Sequence, residues 1–196
     1  MKTKIILISM AVSLCLAASG QSAYAEKEIA KSSNPLYKNG LNYVSFGAEI
    51  GPTLNRFNSS YPVHFGLPVK VYLGRQKVGR FIIRTGYHHF PVPSDRLDAS
   101  QKRAYNQIIP LAIGYRRNIR DWYIEGSLGA AINQSTSVYN DPAQENWVVS
   151  YREINYGLEI GRQIGDFDIG LVVYNTGPIP YHILFSGIKT SYRIKW

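Results

Sequence analysis

Residues 188–196 alternate without a break. Ile188, Thr190, Tyr192, Ile194 and Trp196 hold the even positions, and Lys189, Ser191, Arg193 and Lys195 hold the odd ones. A period of two makes a β-strand with one apolar and one polar face. An exposed strand with so apolar a face is an aggregation hazard unless something covers it. Whatever covers this stretch therefore constrains the whole fold.

The same alternation recurs upstream. Val44, Phe46, Ala48 and Ile50 share one face of a first segment, opposite Tyr43, Ser45, Gly47 and Glu49. Val63, Phe65, Leu67, Val69, Val71 and Leu73 lie opposite His64, Gly66, Pro68, Lys70 and Tyr72. Phe81, Ile83, Thr85 and Tyr87 lie opposite Arg84, Gly86 and His88. A fourth segment, about 105–115, shows Ile109, Leu111, Ile113 and Tyr115 on its apolar side. In the fifth, Trp122, Ile124, Leu128, Ala130 and Ile132 oppose Tyr123, Glu125, Ser127, Gly129 and Asn133. The sixth sets Ile154, Tyr156, Leu158 and Ile160 against Glu153, Asn155, Gly157 and Glu159. Phe167, Ile169, Leu171 and Val173 mark a seventh, and the closing strand starts near His182.

Polar stretches with Gly, Pro, Asn and Asp separate these segments. Residues 51–60, 89–103, 134–146 and 177–180 read as longer loops; 74–79, 116–121 and 165–166 read as short turns. Trp147, Val149 and Tyr151 have the opposite parity to the rest of their segment, which predicts a bulge near 151–153. Pro68 and Pro110 fall inside strands, where each removes one ladder hydrogen bond; they predict bulges or displaced strand limits.

The first residues carry an export signal. Lys2 and Lys4 precede an apolar run to about residue 18, and Ala23-Tyr24-Ala25 fits a small-x-small cleavage site. The expected organisation is a signal peptide at 1–25, a flexible lead at 26–40 and one domain at 41–196. The single cysteine, Cys15, lies in the signal, so no disulfide is expected. No later apolar run is long enough for a spanning helix, so a membrane crossing needs a closed barrel.

Period two does not say which face meets solvent, because a soluble lipocalin-like binding barrel alternates too. The polar face decides. It is rich in glycine, serine and tyrosine, and only 18% of the chain is charged. A water-washed surface carries many more scattered charges. The reading is an all-β, eight-stranded antiparallel up-and-down transmembrane β-barrel with its apolar face in lipid. Its lumen is then expected to hold an ion-pair network of Glu49, Lys70, Arg84, Glu125, Glu159 and Arg193, which plugs it.

The leader, the eight segments and the closing Thr190-Ser191-Tyr192-Arg193-Ile194-Lys195-Trp196 resemble the small outer-membrane β-barrel superfamily, of the outer-membrane protein X or OmpA transmembrane-domain kind. That family commonly ends in Phe rather than Trp. The resemblance implies a Gram-negative outer membrane, with outer-membrane lipids and lipopolysaccharide as neighbours. It also implies recognition by the barrel-assembly machinery, with Tyr192, Ile194 and Trp196 as the C-terminal assembly signal. It implies no single activity, since members include adhesion proteins, structural plugs and lipid-modifying enzymes.

The expected role is structural or surface-interacting without catalysis, with an unidentified periplasmic or surface protein as a further partner. A lipid A acyltransferase or deacylase is the alternative, for which His88, His89, Ser94, Asp95 and His182 are the candidates. His88 and His89 are adjacent on a strand and point to opposite faces, so they make a poor joint metal site. No cofactor motif is present. The net charge of +9 does not point to nucleic acid in an exported chain, and no base-stacking motif accompanies it. Arg75, Lys77, Arg80, Arg116, Arg117, Arg120, Arg162, Arg193 and Lys195 are expected as a basic rim at the periplasmic turns. Arg96, Lys102 and Arg103 are expected on the outer side.

Overall fold

The computed structural model describes residues 42–73, 79–178 and 182–195. The leader at 1–25, the lead at 26–40, Arg75, Lys77 and Trp196 lie outside the described residues. Eight strands follow one another: β1 (Tyr43–Leu54), β2 (Val63–Leu73), β3 (Gly79–Pro91), β4 (Gln101–Ile119), β5 (Trp122–Tyr139), β6 (Trp147–Ile164), β7 (Phe167–Thr176) and β8 (Ile183–Lys195). Each pairs antiparallel with its sequence neighbours, and β1 pairs with β8 from Tyr43–Lys195 to Leu54–Leu184. The sheet is a closed up-and-down barrel with no lateral edge within that belt.

The apolar face is outside. Ile113 is 71% exposed, Leu158 66% and Leu111 65%, while Arg84 and Arg116 are buried. A lipocalin-like barrel with a dry apolar centre is the reverse of this arrangement. The exterior is the kind that hydrocarbon, not water, accommodates. Aromatic side chains mark its lower border: Phe81 packs on Tyr115 at 5.5 Å between ring centroids, and Phe167 on Tyr192 at 5.1 Å. Trp122 is exposed at the same end.

Several strand limits differ from the alternation reading. β1 continues through Gly51-Pro52 to Leu54, because the 51–60 loop begins only after Thr53 bonds back to Pro62. β4 and β5 run almost to their turn, leaving only residues 120–121, so the expected basic turn at 116–121 is mostly strand. The 89–103 loop is shortened by strand at both ends, to 92–100, and the 134–146 loop at its start, to 140–146.

The predicted bulge at 151–153 is absent. β5 and β6 stay in one register from Trp122–Arg162 to Ser137–Trp147. The parity conflict has another cause: β6 pairs with β7 only from Asn155 downward, so its first turns stand clear of the barrel and both faces are wet. β4, β5 and β6 together project as a ribbon beyond the shorter strands. The ladder irregularity in this region lies instead between Gln101 and Arg103.

Pro68 and Pro110 do not mark bulges either. The β1–β2 register is the same on either side of Pro68, but no pairs form between Phe46–Val69 and Glu49–Gly66. Likewise β3 and β4 skip from Thr85–Leu111 to His88–Ile108 around Pro110. The missing proline donor interrupts the ladder locally without shifting it. Glycine lets the proline ring in: a Cβ at Gly47 would lie 3.3 Å from the Pro68 ring, and one at Gly86 2.9 Å from its Cα.

Close strand approach also fixes Gly129. A Cβ there would sit 2.1 Å from the Leu111 carbonyl oxygen and 2.5 Å from the Ala112 Cα, both backbone atoms of β4. Gly126, three residues earlier, meets only a Leu158 methyl at 3.7 Å. Gly129→Ala should lower stability by about 1–3 kcal/mol through forced backbone displacement. Gly126→Ala should change it by less than about 0.5 kcal/mol. Urea unfolding of the refolded barrel in lipid vesicles, followed by tryptophan fluorescence, separates the two; equal effects would contradict the close approach.

Candidate functional site in the barrel lumen

Inward-facing residues of all eight strands fill the lumen in layers. Lowest, near the short turns, Tyr43 and Tyr72 stack at 4.2 Å. Arg80 and Arg193 lie over the Tyr43 ring at 5.4 and 5.7 Å, and Arg116 lies over Tyr123 at 3.5 Å. Arg116 donates to Asp168 Oδ2 at 2.6 Å and to the Tyr72 hydroxyl at 3.0 Å. Arg193 reaches the other Asp168 oxygen at 3.4 Å and donates to the Gly165 carbonyl of the β6–β7 turn at 2.5 Å. Cation–π contacts and a shared carboxylate hold charges that burial would otherwise disfavour.

The middle layer is a four-charge cluster. Lys70 contacts Glu125 and donates to Glu159 Oε2 at 2.5 Å. Lys189 pairs with Glu159 Oε1, which also accepts from the Tyr123 hydroxyl at 2.6 Å. Glu159 therefore collects donors from β2, β5 and β8. Two glycines make room: a Cβ at Gly161 would lie 2.4 Å from the Tyr123 hydroxyl, and one at Gly170 2.8 Å from it.

Above this, Arg84 lies over the Tyr174 ring at 4.2 Å and donates to Asn155 Oδ1. Asn155 in turn donates to Thr176 Oγ1 at 2.7 Å. On the other wall Glu49 Oε1 lies 2.8 Å from His64 Nε2 and 3.9 Å from His88 Nδ1. His64 Nδ1 lies 3.0 Å from the Gly51 carbonyl oxygen. An apolar layer of Phe90, Ile108, Ala131, Val172, Ile183 and Phe185 closes the lumen toward the longer loops. Phe57 and Tyr61, from the β1–β2 loop, pack on it. That loop is held by Arg96, which donates to the carbonyls of Asn58 and Ser59 at 2.7 and 2.9 Å.

All six residues proposed for the lumen from sequence are buried inside. The structure brings Lys70, Glu125 and Glu159 together. It sends the other three elsewhere: Glu49 to two histidines, Arg84 to Asn155 and Tyr174, and Arg193 to Asp168. Lys189, Asp168, Arg116, Arg80 and His64 complete these groups and were not among the six. Lys189 and Asp168 sit at inward parity in β8 and β7, so alternation alone could have found them.

The expected basic rim is corrected at three positions. Arg80, Arg116 and Arg193 are buried in the lumen, because the strands extend farther toward the turns than their apolar runs do. Arg117 and Arg120 stay at the rim, as does Arg162, whose guanidinium lies 3.7 Å from the exposed Asp121 carboxylate. The hydrolytic candidates are dispersed. His88 points into the lumen, while His89 points outward, 3.5 Å from the Tyr87 hydroxyl. Ser94 and Asp95 lie in an exposed 3-10 turn. Tyr192 and Ile194 are exposed on the outer face of β8.

Glu159→Ala should cost about 3–5 kcal/mol, since it removes the carboxylate that Lys189 and the Tyr123 hydroxyl share and leaves Lys70 with Glu125 alone. Equilibrium urea unfolding checks this; a loss under about 1 kcal/mol would mean that water already screens these charges.

No protein-family model matches the chain, and a comparison with curated proteins finds no match. Solved structures do match. Ail, the attachment invasion locus protein of Yersinia pestis, aligns with TM-score 0.57 at 13% identity, over 79% of this chain and 99% of that one. The N-terminal β-barrel domain of Pseudomonas aeruginosa OprF aligns with TM-score 0.54 at 11% identity, over 80% and 100%. Neisserial surface protein A aligns with TM-score 0.51 at 10% identity, over 79% and 97%. At such identities the likeness is one of architecture: the chain has the fold of the small eight-stranded outer-membrane β-barrels.

Proposed function

We propose that the protein is an integral outer-membrane barrel of a Gram-negative bacterium, exported by a signal peptide cleaved after Ala25. Its role is structural or surface-interacting, without catalysis and without an open pore. One observation carries the reading: a continuous apolar exterior surrounds a lumen filled by its own charged and aromatic side chains. No segment among the described residues covers that exterior, and a bilayer supplies the cover. Arg84, Arg116, Lys70 and Lys189 stand across the lumen with their partners, and Phe90 and Phe185 lie above them. Water and ions find no wide path through such a cross-section.

The surface role falls to the β4–β6 ribbon. Residues 147–153 of β6 pair with β5 on one side only. Trp147, Val148 and Tyr151 are exposed there. An open strand edge flanked by apolar side chains suits a partner protein that adds a strand. Arg117, Arg120 and Arg162 at the opposite end suit anionic phospholipid headgroups. Tyr192, Ile194 and Trp196 are the residues proposed to engage the barrel-assembly machinery.

The protein should fractionate with outer membranes and migrate differently on gels before and after boiling. Recovery in the soluble fraction without detergent would overturn the reading. In planar bilayers it should show no large steady conductance. Leu111→Arg, on the lipid face, should cost about 2–4 kcal/mol in vesicles if that position lies near the bilayer midplane.

A further inference from the structure

We propose that Glu49, His64 and His88 form a binding site for a divalent transition-metal ion, of the zinc class, inside the barrel wall. The three side chains come from β1, β2 and β3, and all are buried. One donor atom from each lies within 4.8 Å of the others. Two imidazole nitrogens and a carboxylate oxygen are a donor set that zinc and its neighbours favour.

The hydrogen bonding around His64 sets two lone-pair acceptors against each other. The Gly51 carbonyl can only accept, so His64 Nδ1, 3.0 Å away, donates its proton there. His64 Nε2 then faces Glu49 Oε1 at 2.8 Å. A neutral imidazole protonated on Nδ1 has a lone pair at Nε2, and a carboxylate oxygen also has only lone pairs. Two acceptors at that separation need something between them: a proton, carried by Nε2 or by the Glu49 carboxyl, or a metal ion. The backbone carbonyl on Nδ1 is the outer partner that orients many metal-bound histidines.

The remaining donors favour the metal. His88 Nδ1 and Glu49 Oε2 are buried, and neither has a hydrogen-bond partner among the described residues. An imidazolium at His64 satisfies neither of them. A metal ion takes His88 as its second nitrogen. Ligand bonds of roughly 2.0–2.2 Å place donor atoms about 3–3.5 Å apart. The observed 2.8 and 3.9 Å bracket that spacing, and with all three donors within 4.8 Å of one another, side-chain rotation must draw the widest pair together.

The surroundings are built to hold these rings. A Cβ at Gly66 would lie 2.7 Å from His88 Nδ1, and one at Gly187 3.0 Å from Glu49 Cγ and 3.3 Å from His64 Cε1. Phe185 packs on both imidazoles, at 4.8 and 5.2 Å between centroids, and Phe90 packs on His64 at 5.4 Å. These rings cover the site on its outer side. Arg84, the cation nearest along β3, is directed to Asn155 and the Tyr174 face. The ion would cross-link three adjacent strands near the outer end of the lumen.

The test uses untagged protein refolded in detergent micelles with zinc chloride, then freed of unbound metal by gel filtration. Mass spectrometry of the eluate should find one zinc ion per chain. The variant carrying His64→Gln and His88→Gln should lose it while keeping the gel mobility of a folded barrel. The variant carrying His89→Gln and His182→Gln should keep it, since it removes the other two histidines. Cobalt loaded into this second variant should give a visible ligand-field spectrum. That spectrum decides the matter even if the first variant fails to fold. No retained zinc in the unmodified protein, no cobalt spectrum, or loss of metal in the His89/His182 variant would each overturn the site.

Discussion

Closure of the ladder between β1 and β8 is the constraint from which the rest of the molecule follows. Once those two strands pair, the belt has no free backbone edge, and its outer surface needs no hydrogen-bonding solvent. The exterior is then free to be wholly apolar. The same closure creates an interior only as wide as a few side chains, and every strand sends alternate residues into it. Whatever polarity the chain carries in its strands must be satisfied there by the chain itself.

The lumen meets that demand by sharing. Glu159 serves Lys70, Lys189 and Tyr123 together, and Asp168 serves Arg116 and Arg193. Arg80 and Arg84 also lie over tyrosine rings, whose faces are negative. Removing one partner from such a group leaves charge in a site with little water, whereas removing a lone surface pair costs little. Under the proposed role, a cross-section occupied by ion pairs below and by Phe90 and Phe185 above serves rigidity rather than transport. Among the described residues, the ribbon of β4–β6 is where the proposed surface role finds a strand edge paired on one side only.

The alternation in 63–73 and 188–194 showed in advance which side chains face in and which face out, because strand parity is a local property. Lys70, Glu125 and Glu159 were legible for the same reason. Their particular partners were not. Glu49 looked like one more member of an ion-pair network until register set His64 and His88 beside it. Arg116 reads as a turn residue from sequence because apolar runs fade before strands end; β4 reaches Ile119, and that extension turns Arg116 inward. The parity break at Trp147–Tyr151 suggested a bulge. Its real origin is a strand that outlasts its neighbour, which no single segment reveals.

By itself the sequence determined strand number, face assignment and the lipid-compatible exterior, since each depends on residues two apart along the chain. Only the tertiary structure decided which inward side chains meet, how far the strands run past their apolar stripes, and that Glu49, His64 and His88 share one spot. Those facts depend on register and shear between strands, which turn geometry and the pairing of neighbouring strands set together and which the alternation of one strand does not encode.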